Sequence, residues 1–153
     1  MEFEFGERHM FKRIIVAYDT SPESRRALAA AIRLARALGS EFHVVTICEP
    51  SGLSASFVSA AAPSLAQTLA ADQITLAEQR LTEAREMAEM HGVDPTTHLA
   101  QGQEVEMIVS CVKECKADLL VLGIHQRTHC LPQLWSTVYQ LALDSPCSVL
   151  GVH

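Results

Sequence analysis

Aromatic side chains are scarce: five phenylalanines, two tyrosines and one tryptophan supply only 5% of 153 residues. The interior must therefore be packed mainly with Ala, Val, Leu and Ile, and the apolar fraction of 48% is that of an ordinary soluble globule. Basic residues are outnumbered, 12 Lys and Arg facing 18 Asp and Glu for a net charge of -6. Nucleic acid and anionic membrane both require a basic stripe, so neither is an expected partner. No apolar run reaches membrane-spanning length, and residues 1–10 (MEFEFGERHM) lack the basic start and apolar core of a signal peptide. The five cysteines, Cys48, Cys111, Cys115, Cys130 and Cys147, are odd in number and contain no Cys-x-x-Cys. That pattern argues against a disulfide framework and for a reducing, cytoplasmic setting. Gly-x-Ser-x-Gly and phosphate-loop lysine motifs are missing too, and no histidine stands with a nucleophile and an acid in a readable triad, so the sequence offers no enzyme chemistry.

A chain of this length buries about 70% of its unfolded surface as one domain. We expect that domain over residues 11–153, with 1–10 as an N-terminal extension. The stretch that organises it is Leu119-Leu120-Val121-Leu122 followed by Gly123. A short unbroken apolar run ending at glycine is the pattern of a strand covered on both faces, as in parallel sheets wrapped by helices. Such sheets bind ligands beyond the carboxyl ends of their strands, where the winding direction reverses. Residues 123–138 are therefore the first place to look for a site.

Earlier in the chain, Arg13-Ile14-Ile15-Val16-Ala17-Tyr18-Asp19 reads as the first strand, halted by Asp19, Thr20, Ser21 and Pro22. A helix follows at once, capped by Thr20 or Ser21 with Pro22 in its first turn and Glu23 at capping-box spacing from Thr20, and Gly39 stops it. Glu41 to Ile47 is a second strand. Residues 51–63, small and uncharged, read either as a loop over one end of the sheet or as an irregular start to the next helix, which runs from Ser64 to Met90 on the spacing of Ile74, Ala77, Leu81, Ala84 and Ala88. Thr97 to Gln101 makes a weak, polar third strand suited to an edge. Gly102 separates it from a helix carrying Val105, Ile108, Val109 and Val112. A last helix from Leu134 to Leu143 and a final strand from Cys147 to Val152 complete five strands alternating with four helices. Right-handed crossovers and a central first strand give the order 3-2-1-4-5. The last strand is then an apolar edge that invites a second copy, so a homodimer pairing through Cys147–Val152 is expected.

Metal ligation receives little support at this level. His43 stands alone among strand residues with no partner in sequence and reads as structural. Cys111 and Cys115 are four apart on one helix but lack a third ligand nearby, and His125, His129 and Cys130 lack a carboxylate or further ligand. No metal site is expected.

Arg13 to Ser24 (RIIVAYDTSPES), Ala117 to Gly123 (ADLLVLG) and Ser145 to Leu150 (SPCSVL) resemble, in that order and over residues 11–153, the universal stress protein family. The resemblance implies a flavodoxin-like α/β three-layer sandwich, a cytosolic dimer and a role in stress survival. Many members of that family hold ATP through glycine, two residues, glycine, nine residues, glycine and then serine or threonine. In this register the chain carries Gly123, Gln126, Ser136 and Thr137, so two of three glycines are replaced, while Gly-x-His-Gln resembles the branch that does not hold ATP. If each lost glycine had a left-handed or close-approach role, a side chain there costs about 1–2 kcal/mol. A micromolar site, about -8 kcal/mol, then weakens some tens to a thousandfold. The resemblance also places Asp19 at the ribose- or adenine-side acid, Thr46 at the adenine side of the second strand, and Arg127 within reach of a phosphate. The sequence thus implies a non-enzymatic dimeric stress-response module with weak or no ATP binding. The alternative is an adenine-nucleotide sensor taking ATP or AMP between Asp19 and the 123–137 stretch.

Overall fold

The computed structural model describes residues 10–49, 59–124 and 137–153. Its elements in chain order are β1 (Arg13–Ala17), α1 (Pro22–Leu38), β2 (Glu41–Cys48), α2 (Pro63–Met90), β3 (Pro95–Gln101), α3 (Glu104–Cys115), β4 (Leu119–Gly123), α4 (Thr137–Asp144) and β5 (Ser148–Val152). The five strands form one sheet in the order β3-β2-β1-β4-β5 with every neighbouring pair parallel. This is the order expected from the sequence, with polar β3 at one edge and β5 at the other.

Alternation along β1 divides the core into two layers. Ile14, Val16 and Tyr18 face α1 and α2, packing with Ala27, Leu28, Ala31, Leu81, Ala84 and Ala88. Ile15 faces the other side, with Val45, Leu120 and Leu122 beneath Ile108 and Val112 of α3 and Leu141 of α4. Successive strand residues point to opposite faces, so one unbroken apolar run fills both layers.

Several boundaries differ from the sequence reading, each for a local reason. The first strand ends at Ala17, although the Tyr18 amide still bonds the Val45 carbonyl at 2.9 Å. β3 starts two residues earlier than Thr97, because Pro95 and Thr96 pair with Phe42 and His43, and an edge strand tolerates a proline that cannot donate. Ser21 is the helix cap, its Oγ accepting the Ser24 amide at 3.1 Å, so Ser24 rather than Glu23 occupies the reciprocal position. Residues 59–61 are helical and α2 begins at Pro63, which favours the helix-start reading of that part of 51–63. β5 begins at Ser148, one residue after Cys147. The expected start of the last helix, Leu134 to Ser136, lies outside the described residues.

All four buried residues of α2, Ala77, Leu81, Ala84 and Ala88, belong to its second half, whereas Leu65, Leu69 and Leu76 nearer its start are exposed. Its second half is also tied down by polar contacts. Tyr18 Oη donates to Glu83 at 2.8 Å, Arg25 of α1 pairs with the same carboxylate at 2.9 Å, and Arg85 donates to Thr97 of β3 at 2.9 Å.

Three hydrogen bonds at Asp118 fix the join between β1 and β4. The Asp118 carboxylate accepts the Lys12 amide at 2.7 Å and the Arg13 amide at 3.0 Å, and the Asp118 amide donates to the Arg13 carbonyl at 3.0 Å. At the other end of β4, a Cβ on Gly123 would stand 2.6 Å from the Glu23 carbonyl oxygen and 2.7 Å from the Ser24 nitrogen, so the start of α1 presses on this residue. Backbone cannot swing aside as a flexible side chain would. Asp118→Ala is expected to lower unfolding free energy by about 2 kcal/mol, since hydrogen bonds to a charged group contribute about 1.5–3 kcal/mol. Gly123→Ala should cost about 1–3 kcal/mol by overpacking. Urea titration reads both as a fall in midpoint at unchanged slope.

Candidate functional site

The winding direction reverses between β1 and β4, and the crevice there is framed by the turn after β1 and the end of β4. Thr20, in that turn, adopts φ 69°, a left-handed conformation costly for a β-branched residue. Its neighbours hold it. Asp19 Oδ1 accepts the Ser21 amide at 2.9 Å, and the Asp19 amide donates to Ser24 Oγ at 3.3 Å. Burial works to raise the Asp19 pKa, but hydrogen bonds from Ser21 and Ser24, with the nearby Arg80 guanidinium, outweigh it and hold the carboxyl below its ordinary value. Just beneath, Thr46 is buried and donates through Oγ1 to the Tyr18 carbonyl at 2.8 Å. Burial, together with the Glu83 carboxylate, pushes the Tyr18 phenol to about 12, so it remains a donor.

Four of the residues expected at the site, Asp19, Thr46, Gly123 and Thr137, therefore gather around the end of β1. Their roles are largely internal. Thr46 spends its hydroxyl on the backbone, Asp19 spends an oxygen on its own turn, and Gly123 is required by the approach of α1. Thr137, the first residue of α4 among those described, hydrogen-bonds the Glu104 carboxylate. Gln126, Arg127 and Ser136 lie outside the described residues, as do His125, His129, Cys130 and Trp135.

Sequence reasoning missed the charges that share this crevice. Glu49 follows β2 and its carboxylate accepts the Glu104 amide at 3.0 Å, at the start of α3. Glu104 is an exposed residue, yet its carboxylate sits against protein. Burial first, then the charges of Glu49 and Asp19, raise its pKa, partly offset by the bond from Thr137. The Glu104 carboxylate thus feels the charges of two carboxylates from other segments, and Asp19 feels the guanidinium of Arg80 of α2. The signal for them was positional: Glu49 and Glu104 both flank carboxyl ends of strands, which is where such sheets place their ligand-facing groups.

A second polar cluster lies toward the opposite ends of the strands. His43 of β2 stacks on His98 of β3 with ring centroids 5.3 Å apart, and Nδ1 of His43 stands 3.0 Å from Nε2 of His98. Cys115, at the end of α3, brings its Sγ to 3.4 Å from that same Nε2. His43, alone by sequence, thus has two partners contributed by later segments. Burial lowers the pKa of both imidazoles and raises that of the Cys115 thiol.

Comparison with known proteins gives a consistent answer over nearly the full length. A profile of the universal stress protein family matches residues 10–153. The stress response protein NhaX of Bacillus subtilis is 26% identical, the match covering 92% of this chain and 96% of the relative. Among solved structures, the universal stress protein UspA of Lactobacillus plantarum superposes with a TM-score of 0.76 at 17% identity, covering 93% of this chain and 97% of the other. A universal stress protein solved in complex with cAMP is 25% identical with a TM-score of 0.71, over 94% of this chain and 98% of its own. No helix among the described residues is long and apolar enough to cross a membrane. With the sheet order, the crevice at the β1–β4 reversal and the profile match in agreement, the chain belongs to the universal stress protein family.

Proposed function

We propose that the chain acts as a non-enzymatic, dimeric, cytoplasmic stress-response module whose crevice holds adenine nucleotide weakly or not at all. The observation that carries this reading is the acidity beyond the carboxyl ends of β2 and β3, where the Glu49 carboxylate accepts the Glu104 amide at 3.0 Å and the Glu104 carboxylate feels the charges of Glu49 and Asp19. Each carboxylate about 4 Å from a phosphate charge costs about 1 kcal/mol even at the dielectric of water. Replacement of two signature glycines by Gln126 and Ser136 works in the same direction. Asp19 and Thr46, the acid and hydroxyl that the family resemblance assigns to the nucleotide, already have backbone partners here.

A dimer is supported by the position of β5 at the sheet edge, where Leu150 is exposed and Tyr139 and Leu143 are exposed on neighbouring α4.

The second reading, an adenine-nucleotide sensor, draws on the relative solved with cAMP. A monophosphate brings less negative charge than ATP to an acidic crevice, so this reading favours AMP or a cyclic monophosphate over ATP.

Isothermal titration separates the two. ATP with magnesium is expected to give no binding heat at about 0.1 mM ligand, and Glu104→Gln should strengthen any ATP binding by about fivefold through the charge removed. Micromolar ATP binding by the unaltered chain overturns the first reading. Asp19 supplies a pH test of its commitment to the turn. Its folded pKa is depressed, so its contribution is present above the unfolded value of about 3.9 and lost as the pH falls through the folded one. Asp19→Asn should lower stability at neutral pH by about 0.5 kcal/mol after solvent screening, and the difference should close in acid, as read by urea midpoints across pH.

A further inference from the structure

His43, His98 and Cys115 each offer one ligand atom, and the three atoms all lie within 4.8 Å of one another. They come from three elements, β2, β3 and α3, and the His43 side chain is only 12% exposed. In a tetrahedral zinc site, with Zn–N about 2.0–2.1 Å and Zn–S about 2.3 Å, two nitrogens stand about 3.3 Å apart and a nitrogen and a sulfur about 3.6 Å apart. The observed separations of 3.0 Å between nitrogens and 3.4 Å from nitrogen to sulfur are slightly shorter.

Hydrogen bonding alone accounts poorly for the cluster. Nε2 of His98 faces both His43 Nδ1 and Cys115 Sγ, yet a ring nitrogen has one hydrogen or one lone pair to offer. His43 Nε2 is meanwhile buried with no hydrogen-bond partner among the described residues. It points toward Glu41, whose Oε2 is 4.0 Å away and is held by Arg13 at 2.7 Å. A metal-bound imidazole characteristically turns its other nitrogen to a carboxylate, which fixes the tautomer and raises ligand basicity. Glu41 stands on that side of His43.

We infer that His43, His98 and Cys115 form a zinc site, taking one ion per chain with solvent in the fourth position and joining β2, β3 and α3. Two imidazoles and one thiolate are a borderline-soft donor set suited to zinc. Binding transfers the Cys115 thiol proton to solvent, and the imidazoles, neutral because they are buried, coordinate without losing one. The site lies away from the crevice, and its presence is independent of nucleotide binding.

The test uses the full chain without a histidine tag, stripped of metal and titrated with zinc against a chromophoric chelator, then with cobalt(II). The expected result is one zinc per chain with a Kd of about 1 µM or below, a zinc-induced rise in Tm, and in the cobalt form a thiolate-to-metal charge-transfer band with the intense visible bands of tetrahedral coordination. His98→Gln and Cys115→Ser preserve side-chain size. Each should weaken zinc by about 100-fold or more, the upper end of what outer-shell changes cost, and lose the rise in Tm, while Cys115→Ser also loses the charge-transfer band. The double variant His129→Ala/Cys130→Ser should bind as the unaltered chain does. Absence of stoichiometric zinc, or unchanged affinity in His98→Gln and Cys115→Ser, overturns the proposal. So does loss of binding in the His129/Cys130 variant alone.

Discussion

Parallel pairing of β1 with β4 joins segments more than a hundred residues apart in sequence, and the Asp118 carboxylate holds that join by accepting two successive amides at the mouth of β1. Loop closure over such a span carries an entropic cost, which grows only slowly with length but must be met before any contact forms. Once Ile14 is set opposite Leu119 and Val16 opposite Val121, the rest of the crevice follows. The turn at Asp19 and the end of β4 at Gly123 come to lie side by side, and the first turn of α1 closes against both. The glycine that a sequence motif reads as a phosphate contact is, in this chain, demanded first by that packing. Its retention therefore says little about nucleotide, whereas the side chains that share the space say more.

The sheet was legible in the sequence because its central strands are unbroken apolar runs between unmistakable turn formers. Ile14 to Val16 and Leu119 to Leu122 can be little else, and the crossover rules then leave one natural order. Residues whose meaning depends on strand register were not legible. His43 and His98 are 55 positions apart and meet because β2 and β3 pair with Val45 opposite His98, a register that no local pattern states. Cys115 joins them from a helix that crosses the same face. Conversely, Cys111 and Cys115, which sequence spacing suggested as a pair, divide their roles: Cys111 is buried among Ile108 and Val112, and Cys115 turns to the histidines. The acidic crowding of the crevice was hidden for a similar reason. Glu49 and Glu104 are 55 positions apart, and only the return of α3 over the ends of β1 and β2 makes one accept the other's amide.

The two ends of the sheet thus differ in chemistry as well as position. Toward the carboxyl ends stand carboxylates, Glu49 accepting the Glu104 amide beside the turn after β1. Toward the amino ends, neutral imidazoles and a thiol lie mostly enclosed, with Glu41 and Arg13 paired at the margin. One helix spans the two ends: α3 contributes Glu104 at its first residue and Cys115 at its last.

Helix α2 carries an asymmetry of its own. Its buried alanines and Leu81, with the Tyr18–Glu83–Arg25 and Arg85–Thr97 contacts, all act on the carboxyl half. The amino half has no buried residue to hold it, and isolated helices of that length are marginal in water. Opening should therefore start at Pro63 and advance toward the buried half: amide protection would climb along the helix, and a protease would find its first cut in the leading turns.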